Sequence, residues 1–280
     1  MGSADHPGRG LPLIADGASA QVYALPDGRV LKSFHAAVSD EMVAREAVAS
    51  SLAGSLGLPA AGAIARLGAE RVTGEEGRGL IFPRIDGMTM MRAIRARPWT
   101  SGKLLKMMSE LLVATHRHMA TELRPVTQVL ATDIRYGPAP LDLQDAVCAY
   151  LDRLPQGNAL LHGDYHLGNI IMSAQGPVII DWAKAATGAP AADLARTEML
   201  MRFGQGASDV ATNLWRDWAA WRLVRDYLRG GAVSVSELAA WRPVVAVAWL
   251  RARAPVRQAA FLAYCNRALA DAGLPVLRLQ

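Results

Sequence analysis

Two textures of apolar patterning divide the chain. In roughly the first eighty residues, apolar positions come in short or alternating runs: Leu11–Ala15, Gln21–Leu25 and Val30–Phe34. Such runs are the signature of strands. Between them lie Asp16-Gly17-Ala18-Ser19 and Pro26-Asp27-Gly28. An Asp-Gly step between two apolar runs predicts a hairpin, because glycine accepts the positive φ the turn needs. Ser39-Asp40-Glu41 then offers a capping hydroxyl followed by acids in a first turn, and predicts a helix running to about Leu56 and stopping at Gly57-Leu58-Pro59. Two more strand-like runs, Ala63–Ala69 and Gly79–Pro83, flank the polar loop Thr73–Arg78. After Asp86-Gly87 the spacing becomes helical, in Ser101–Leu123, Leu141–Leu154, Ala207–Arg229, Ser234–Arg253 and Pro255–Ala272. One interruption, Ala159–Asp181, reads as strand, loop, strand. The pattern predicts an α+β protein with a small β-rich lobe over residues 1–86, a larger helical lobe over 87–280 and a hinge near Phe82–Gly87.

Composition narrows the class. Hydrophobic residues are 51% and charged residues 20% of the 280, enough to bury a core, which excludes a disordered chain. No fixed-period repeat or heptad run is present, so solenoid and coiled-coil readings fall. Cys148 and Cys265 are too few to staple the chain and form no CxxC pair, so free thiols in a reducing compartment are expected. The opening MGSADHPGRG has no apolar core, and the longest uncharged stretch, Ala47–Ala65, is broken by Gly54, Gly57, Pro59 and Gly62. No secretory signal or membrane span is expected, and the location expected is cytoplasmic, with no membrane partner. Of 30 basic residues only Lys32, Lys103, Lys106 and Lys184 are lysine. From Arg196 onward, twelve arginines face six acids, a surplus of six. That region could attract phosphate, an acidic small molecule or nucleic acid, or its arginines could simply solvate helix faces.

The chemistry concentrates in Leu160-Leu161-His162-Gly163-Asp164-Tyr165-His166-Leu167-Gly168-Asn169 and Val178-Ile179-Ile180-Asp181-Trp182. An acid is followed five residues later by an amide, and twelve beyond that by an acid closing an apolar strand. Metal-assisted phosphoryl transfer requires such a set. One carboxylate orients the incoming hydroxyl, while a second carboxylate and an amide oxygen suit hard magnesium ions. A rival is metal hydrolysis. His162, Asp164 and His166 alternate, and on a strand they would share one face. Gly163 and Gly168 argue instead for a loop, and no further cluster completes such a site.

The chain here resembles the aminoglycoside phosphotransferase and choline kinase-like family, relatives of the protein kinases. The resemblance rests on HGDYHLGN and IDWAKAATGAPAADLA and spans roughly residues 13 to 200. It implies a two-lobed protein-kinase-like fold, Asp164 as catalytic base, Asn169 and Asp181 as magnesium ligands, and Asp193 as a structural acid bracing the catalytic loop. Lys32 resembles the lysine that binds the α- and β-phosphates, and Glu46, fourteen residues later, the helix glutamate that pairs with it. Glu41 competes, but it sits in the first turn, where it serves the helix dipole. The turn Asp16–Tyr23 has one glycine where a GxGxxG loop has three, and no Walker A sequence occurs. Small residues there still let backbone N–H groups approach phosphate, and Ser19 can donate its hydroxyl. The resemblance also places the adenine edge against the Pro83 carbonyl and the Ile85 N–H. The implied cofactors are ATP, or GTP in its place, and Mg2+.

The acceptor is expected on the helical lobe beyond Asp193. Trp215, Trp218 and Trp221 recur every three residues. They predict a packed core stripe with neighbours such as Leu214 and Leu228, or an aromatic wall for a ring-bearing acceptor. Polycations need acidic clefts, so the arginine surplus points to a neutral or anionic hydroxyl compound: an antibiotic, sugar or amino-alcohol-like molecule. No nucleic-acid partner is expected, since no arginine face with interleaved aromatics or docking motif is visible. The expected activity is that of a magnesium-dependent small-molecule kinase. The alternative is a catalytically silent nucleotide-binding module, against which the intact set Lys32, Asp164, Asn169 and Asp181 argues.

Overall fold

The structure, a computed structural model, describes residues 10–67, 78–231, 233–251 and 255–277. Most of the Thr73–Arg78 loop, the end of the Ala63–Ala69 run, Arg253 and Arg278 lie outside the described residues. The strands, in chain order, are β1 (Leu13–Asp16), β2 (Ala20–Ala24), β3 (Arg29–Phe34), β4 (Ala65–Leu67), β5 (Gly79–Pro83), β6 (Gly87–Thr89), β7 (Ala159–Leu161), β8 (Ile170–Ser173), β9 (Gly176–Ile179) and β10 (Ala186–Gly188). The helices are α1 (Asp40–Ser55), α2 (Met90–Ala96), α3 (Ser101–His116), α4 (Val126–Arg135), α5 (Leu141–Leu151), α6 (Pro190–Phe203), α7 (Val210–Arg229), α8 (Val235–Trp249) and α9 (Gln258–Asp271). Two compact units divide them: Met1–Arg92 with Gly168–Lys184, and Ala93–Leu167 with Ala185–Gln280. The segment 168–184, which the apolar pattern places in the helical part, clusters with the first unit.

The first unit holds an antiparallel sheet in the order β1-β2-β3-β5-β4. Gly28, at φ 76°, closes the β2–β3 turn in the left-handed conformation that the Asp-Gly step predicts. Gly17 does not use that freedom. Its N–H donates to the Ala20 carbonyl at 3.0 Å, and a Cβ on it would lie 3.3 Å from that oxygen, so this turn needs close approach. Ser39 caps α1 by accepting from the Met42 N–H, with Asp40 and Glu41 in the first turn. Val43 of α1 packs with Ala20, Phe34, Val38 and Leu80. Because side chains alternate along a strand, Lys32 shares the sheet face of Phe34. A second, smaller sheet, β6-β8-β9, contains the tight hairpin of residues 170–179.

In the second unit α6 packs against α7 and α8, α3 against α7, and α4, α5 and α9 against α8. Met108, Leu112, Met199, Leu223, Trp241 and Phe261 fill the interior. The helix expected over Ser101–Leu123 stops at His116. The next residues turn to β-type pairing instead: Leu160 N–H donates to the His118 carbonyl at 2.7 Å, and Ala120 N–H to the Asn158 carbonyl at 3.0 Å. The tryptophan spacing also resolves against a core stripe. Arg216, Ala219, Ala220, Leu223, Val224 and Tyr227 form the inner face of α7, while Trp218 and Trp221 are exposed. A step of three residues falls about 60° short of a full turn, so the three tryptophans fan around the helix. No helix among the described residues is long and apolar enough to cross a membrane.

Candidate active site

In the first unit, β3 and α1 bring Lys32 and Glu46 together. Lys32 Nζ donates to Glu46 Oε1 at 2.6 Å and to Asp181 Oδ1 at 2.9 Å. Burial would depress the lysine, but the charges of Asp181 and Glu46 outweigh it and hold the ammonium above its usual pKa. Glu46 is fully buried, and burial, with the Asp181 charge adding to it, pushes its carboxyl above the usual range despite Lys32. Glu46 Oε2 is buried without a hydrogen-bond partner. Glu41, the competing acid, pairs with Arg45 on the exposed face of α1.

Asp181 is 38% exposed and adopts φ 64°, the one non-glycine residue with positive φ among the described residues. Such backbone is strained, though aspartate tolerates it better than most. The hairpin explains its placement. Ile170 pairs with Ile179, and Ile180 N–H donates to the Asn169 carbonyl at 3.0 Å. Asn169 and Asp181 therefore flank the open end of one hairpin, and Asn169 is buried there. A carboxylate and an amide are hard oxygen donors, and two such residues leave positions for phosphate and water, so the pair fits magnesium. Among the described residues no group of three or more His, Cys, Asp or Glu gathers elsewhere in a metal-binding arrangement. Ser19 is exposed in the β1–β2 turn, where its carbonyl accepts from the His35 N–H at 2.9 Å. Pro83 ends β5 opposite Arg29, and both it and Ile85 are half-buried.

In the second unit the loop carrying Asp164 is held by Asp193. Asp193 Oδ2 accepts from the His162 N–H at 2.8 Å, and Oδ1 from the Gly163 N–H at 2.9 Å. His116 Nε2 stands 3.2 Å from Oδ2, and His116 Nδ1 lies 2.6 Å from the Tyr227 hydroxyl. Burial would raise the Asp193 carboxyl, but His116 and then His162 outweigh it and hold it below the usual range. The same burial, with the Asp193 charge, raises Tyr227. Arg196 donates to the Gly163 carbonyl, one peptide before Asp164. Asp164 itself is buried, and its N–H donates to His162 Nδ1 at 3.2 Å. Gly163 takes φ 75°, so His162 and Asp164 lie on a turn beyond the end of β7. The shared strand face needed by the rival metal site is not formed.

His116, Tyr227 and Arg196 were not readable as site residues. His116 carries the one usable signal: a histidine in the apolar stretch Leu111–Ala120, where burial demands a partner.

Residues 10–241 match the phosphotransferase enzyme family. The chain belongs to this family. No curated protein matches it in sequence. Among solved structures it is similar to a thermostable mutant of aminoglycoside phosphotransferase APH(4)-Ia in ternary complex with AMP-PNP and hygromycin B, at 14% identity and TM-score 0.63, covering 93% of each chain. It is similar to a choline/ethanolamine kinase family protein from Mesorhizobium loti, at 18% identity and TM-score 0.56, covering 95% of this chain and 88% of that one. Amicoumacin kinase in complex with AMP-PNP, Ca2+ and Ami gives 13% identity and TM-score 0.56, covering 96% and 90%. This phosphotransferase therefore has the α+β, protein-kinase-like fold that its motifs imply.

Proposed function

We propose that the protein transfers the γ-phosphoryl group of ATP to a hydroxyl of a small acceptor. The observation that carries this reading is the Lys32 ammonium, held 2.6 Å from Glu46 and 2.9 Å from Asp181 inside one unit. A lysine kept charged and extended by a buried glutamate is placed to bind phosphate oxygens. Residues 1–86, joined by the 170–179 hairpin, take the nucleotide. Ser19 faces its phosphates, and the Pro83 carbonyl and Ile85 N–H take the adenine edge. GTP is the alternative donor. Asn169 and Asp181 hold magnesium, which when bound supplies positive charge against the phosphate oxygens. Asp164, braced through its loop by Asp193, orients the acceptor hydroxyl and accepts its proton. Structural relatives that hold AMP-PNP with hygromycin B, and AMP-PNP with Ca2+ and Ami, support a nucleotide donor and a small-molecule acceptor.

The acceptor falls to residues 87–280 and is neutral or anionic. The acids that could hold amines are already engaged. Glu198 binds Arg202 and Arg242, Asp217 binds Arg257, and Asp226 binds Arg222 and Arg225. Asp209 and Glu237 cap helices.

The test is nucleotide consumption across antibiotics, sugars and amino alcohols. Acceptor-dependent ADP release is expected, falling about 10²–10⁴-fold in Asp164→Asn while ATP still binds. An Asp164→Asn protein that turned over near the wild-type rate would remove Asp164 as the base. ATP binding with no turnover on any acceptor would favour the silent nucleotide-binding module.

A further inference from the structure

The outer stripe of α7 is apolar along one half and cationic along the other. Leu214, Trp218 and Trp221 follow at helical spacing and are 68%, 39% and 51% exposed. Arg222, Arg225 and Arg229 continue the same stripe, with Asp226 the single acid beside them. The Arg225 guanidinium lies 4.7 Å from the Trp221 ring centroid. The first turn of α3 extends this surface. A side chain built at Gly102 would begin 3.8 Å from the Arg222 guanidinium. Beside Gly102, Lys103 is exposed, and three residues before it Trp99 is 80% exposed. Arginine and tryptophan thus interleave on one face, which the linear sequence does not reveal because the cations and aromatics come from α7 and the approach to α3.

We propose that this face rests on an anionic lipid bilayer as a peripheral contact. Three features select that occupant. The cations outnumber the acid, so the complementary surface is negative. Large apolar side chains with polar-tipped indoles suit the headgroup boundary, where tryptophan anchors and aliphatic groups embed. A nucleic acid would use the arginines and stack on the indoles, but it gives Leu214 no counterpart. A second copy fits poorly. A parallel two-fold pairing sets arginine on arginine, and an antiparallel one lays Arg225 and Arg229 on Leu214 without an acid to receive them. The contact concerns the outer surface of one unit and does not depend on the kinase reading.

The experiment is cosedimentation of the full chain with vesicles of phosphatidylcholine alone and of equal parts phosphatidylcholine and phosphatidylglycerol. Binding to the anionic vesicles only is expected, weakening with added salt and shifting tryptophan emission to shorter wavelength. Arg229→Glu should lower the partition coefficient roughly tenfold or more, about fivefold for each unit of charge lost. Leu214→Ser with Trp221→Ala should abolish the emission shift. All three positions are exposed, and unchanged circular dichroism and melting would show that the variants fold. The proposal is overturned by absence of binding to anionic vesicles, by equal binding of wild type and variants, by equal binding to neutral vesicles, by a dimer in light scattering that Trp221→Ala dissociates, or by retention of single-stranded RNA in place of vesicles.

Discussion

Glu46 in the first unit and Asp193 in the second are both buried carboxylates beside nitrogen donors, yet their surroundings move them in opposite directions. Asp193 takes hydrogen bonds from two successive backbone N–H groups and stands within reach of His116, and its carboxyl is held low. Glu46 has one partnered oxygen, one buried oxygen with none, and a raised carboxyl. Its neighbour Asp181 is partly exposed on strained backbone. The first arrangement is saturated and suits a loop that must not move. The second is under-satisfied, and a polyphosphate with its cation would complete it. Buried charge therefore serves two purposes here: a fixed brace for the base, and a receptive cluster for the donor.

The largest effect should come from the saturated side. Asp193→Ala leaves the His162 and Gly163 N–H groups and His116 without their acceptor, and should cost about 3–5 kcal/mol in urea unfolding. Asp193→Asn should lose less. If Asp193→Ala unfolded like wild type, the brace would not be structural. The pH dependence has the corresponding sign. Because the folded Asp193 pKa is lowered, its stabilisation is present above the ordinary value of 3.8 and is lost as pH falls below it.

Lys32→Met should sharpen the contrast. It leaves Glu46 beside Asp181 with no cation, so the folded protein favours protonated Glu46 still more. A raised folded pKa gives stability that is present below the ordinary 4.5 and declines as pH rises through the folded value. The variant should match wild type near pH 4.5 and fall progressively behind it at higher pH, by up to about 1.4 kcal/mol per pH unit within the titration window. A pH-independent difference between the two proteins would contradict the pairing. Smaller still, Glu46→Gln keeps Asp181 as a partner for Lys32 and should raise the KM for ATP roughly tenfold, the loss of one hydrogen bond between charged groups. An unchanged KM would make Glu46 a packing residue.

The β-rich unit was the more legible in sequence. Its strands are short and its turns carry their own chemistry, as at Gly28, and Ser39 marks the start of α1. The candidate residues Lys32, Glu46 and Asp181 were readable for a related reason: strand alternation and a hairpin bring them together, with little reliance on distant parts of the chain. The helical unit hid more. α6 is buried on nearly every side and so shows no amphipathic period. α3 ends at His116 through pairing with residues 158–160, some forty positions away. His116 and Tyr227 reach Asp193 from separations of 77 and 34 residues, which no local pattern encodes. The arginine surplus was visible, but its use in binding Glu198, Asp217 and Asp226 was not.

The receptive cluster is tested most directly by calorimetric titration of AMP-PNP, with and without magnesium, into wild type and Asp181→Asn. The account predicts that magnesium tightens binding to wild type at least tenfold, and that the variant retains its magnesium-free affinity and gains nothing from the metal. An equal magnesium-dependent gain in both proteins would contradict it.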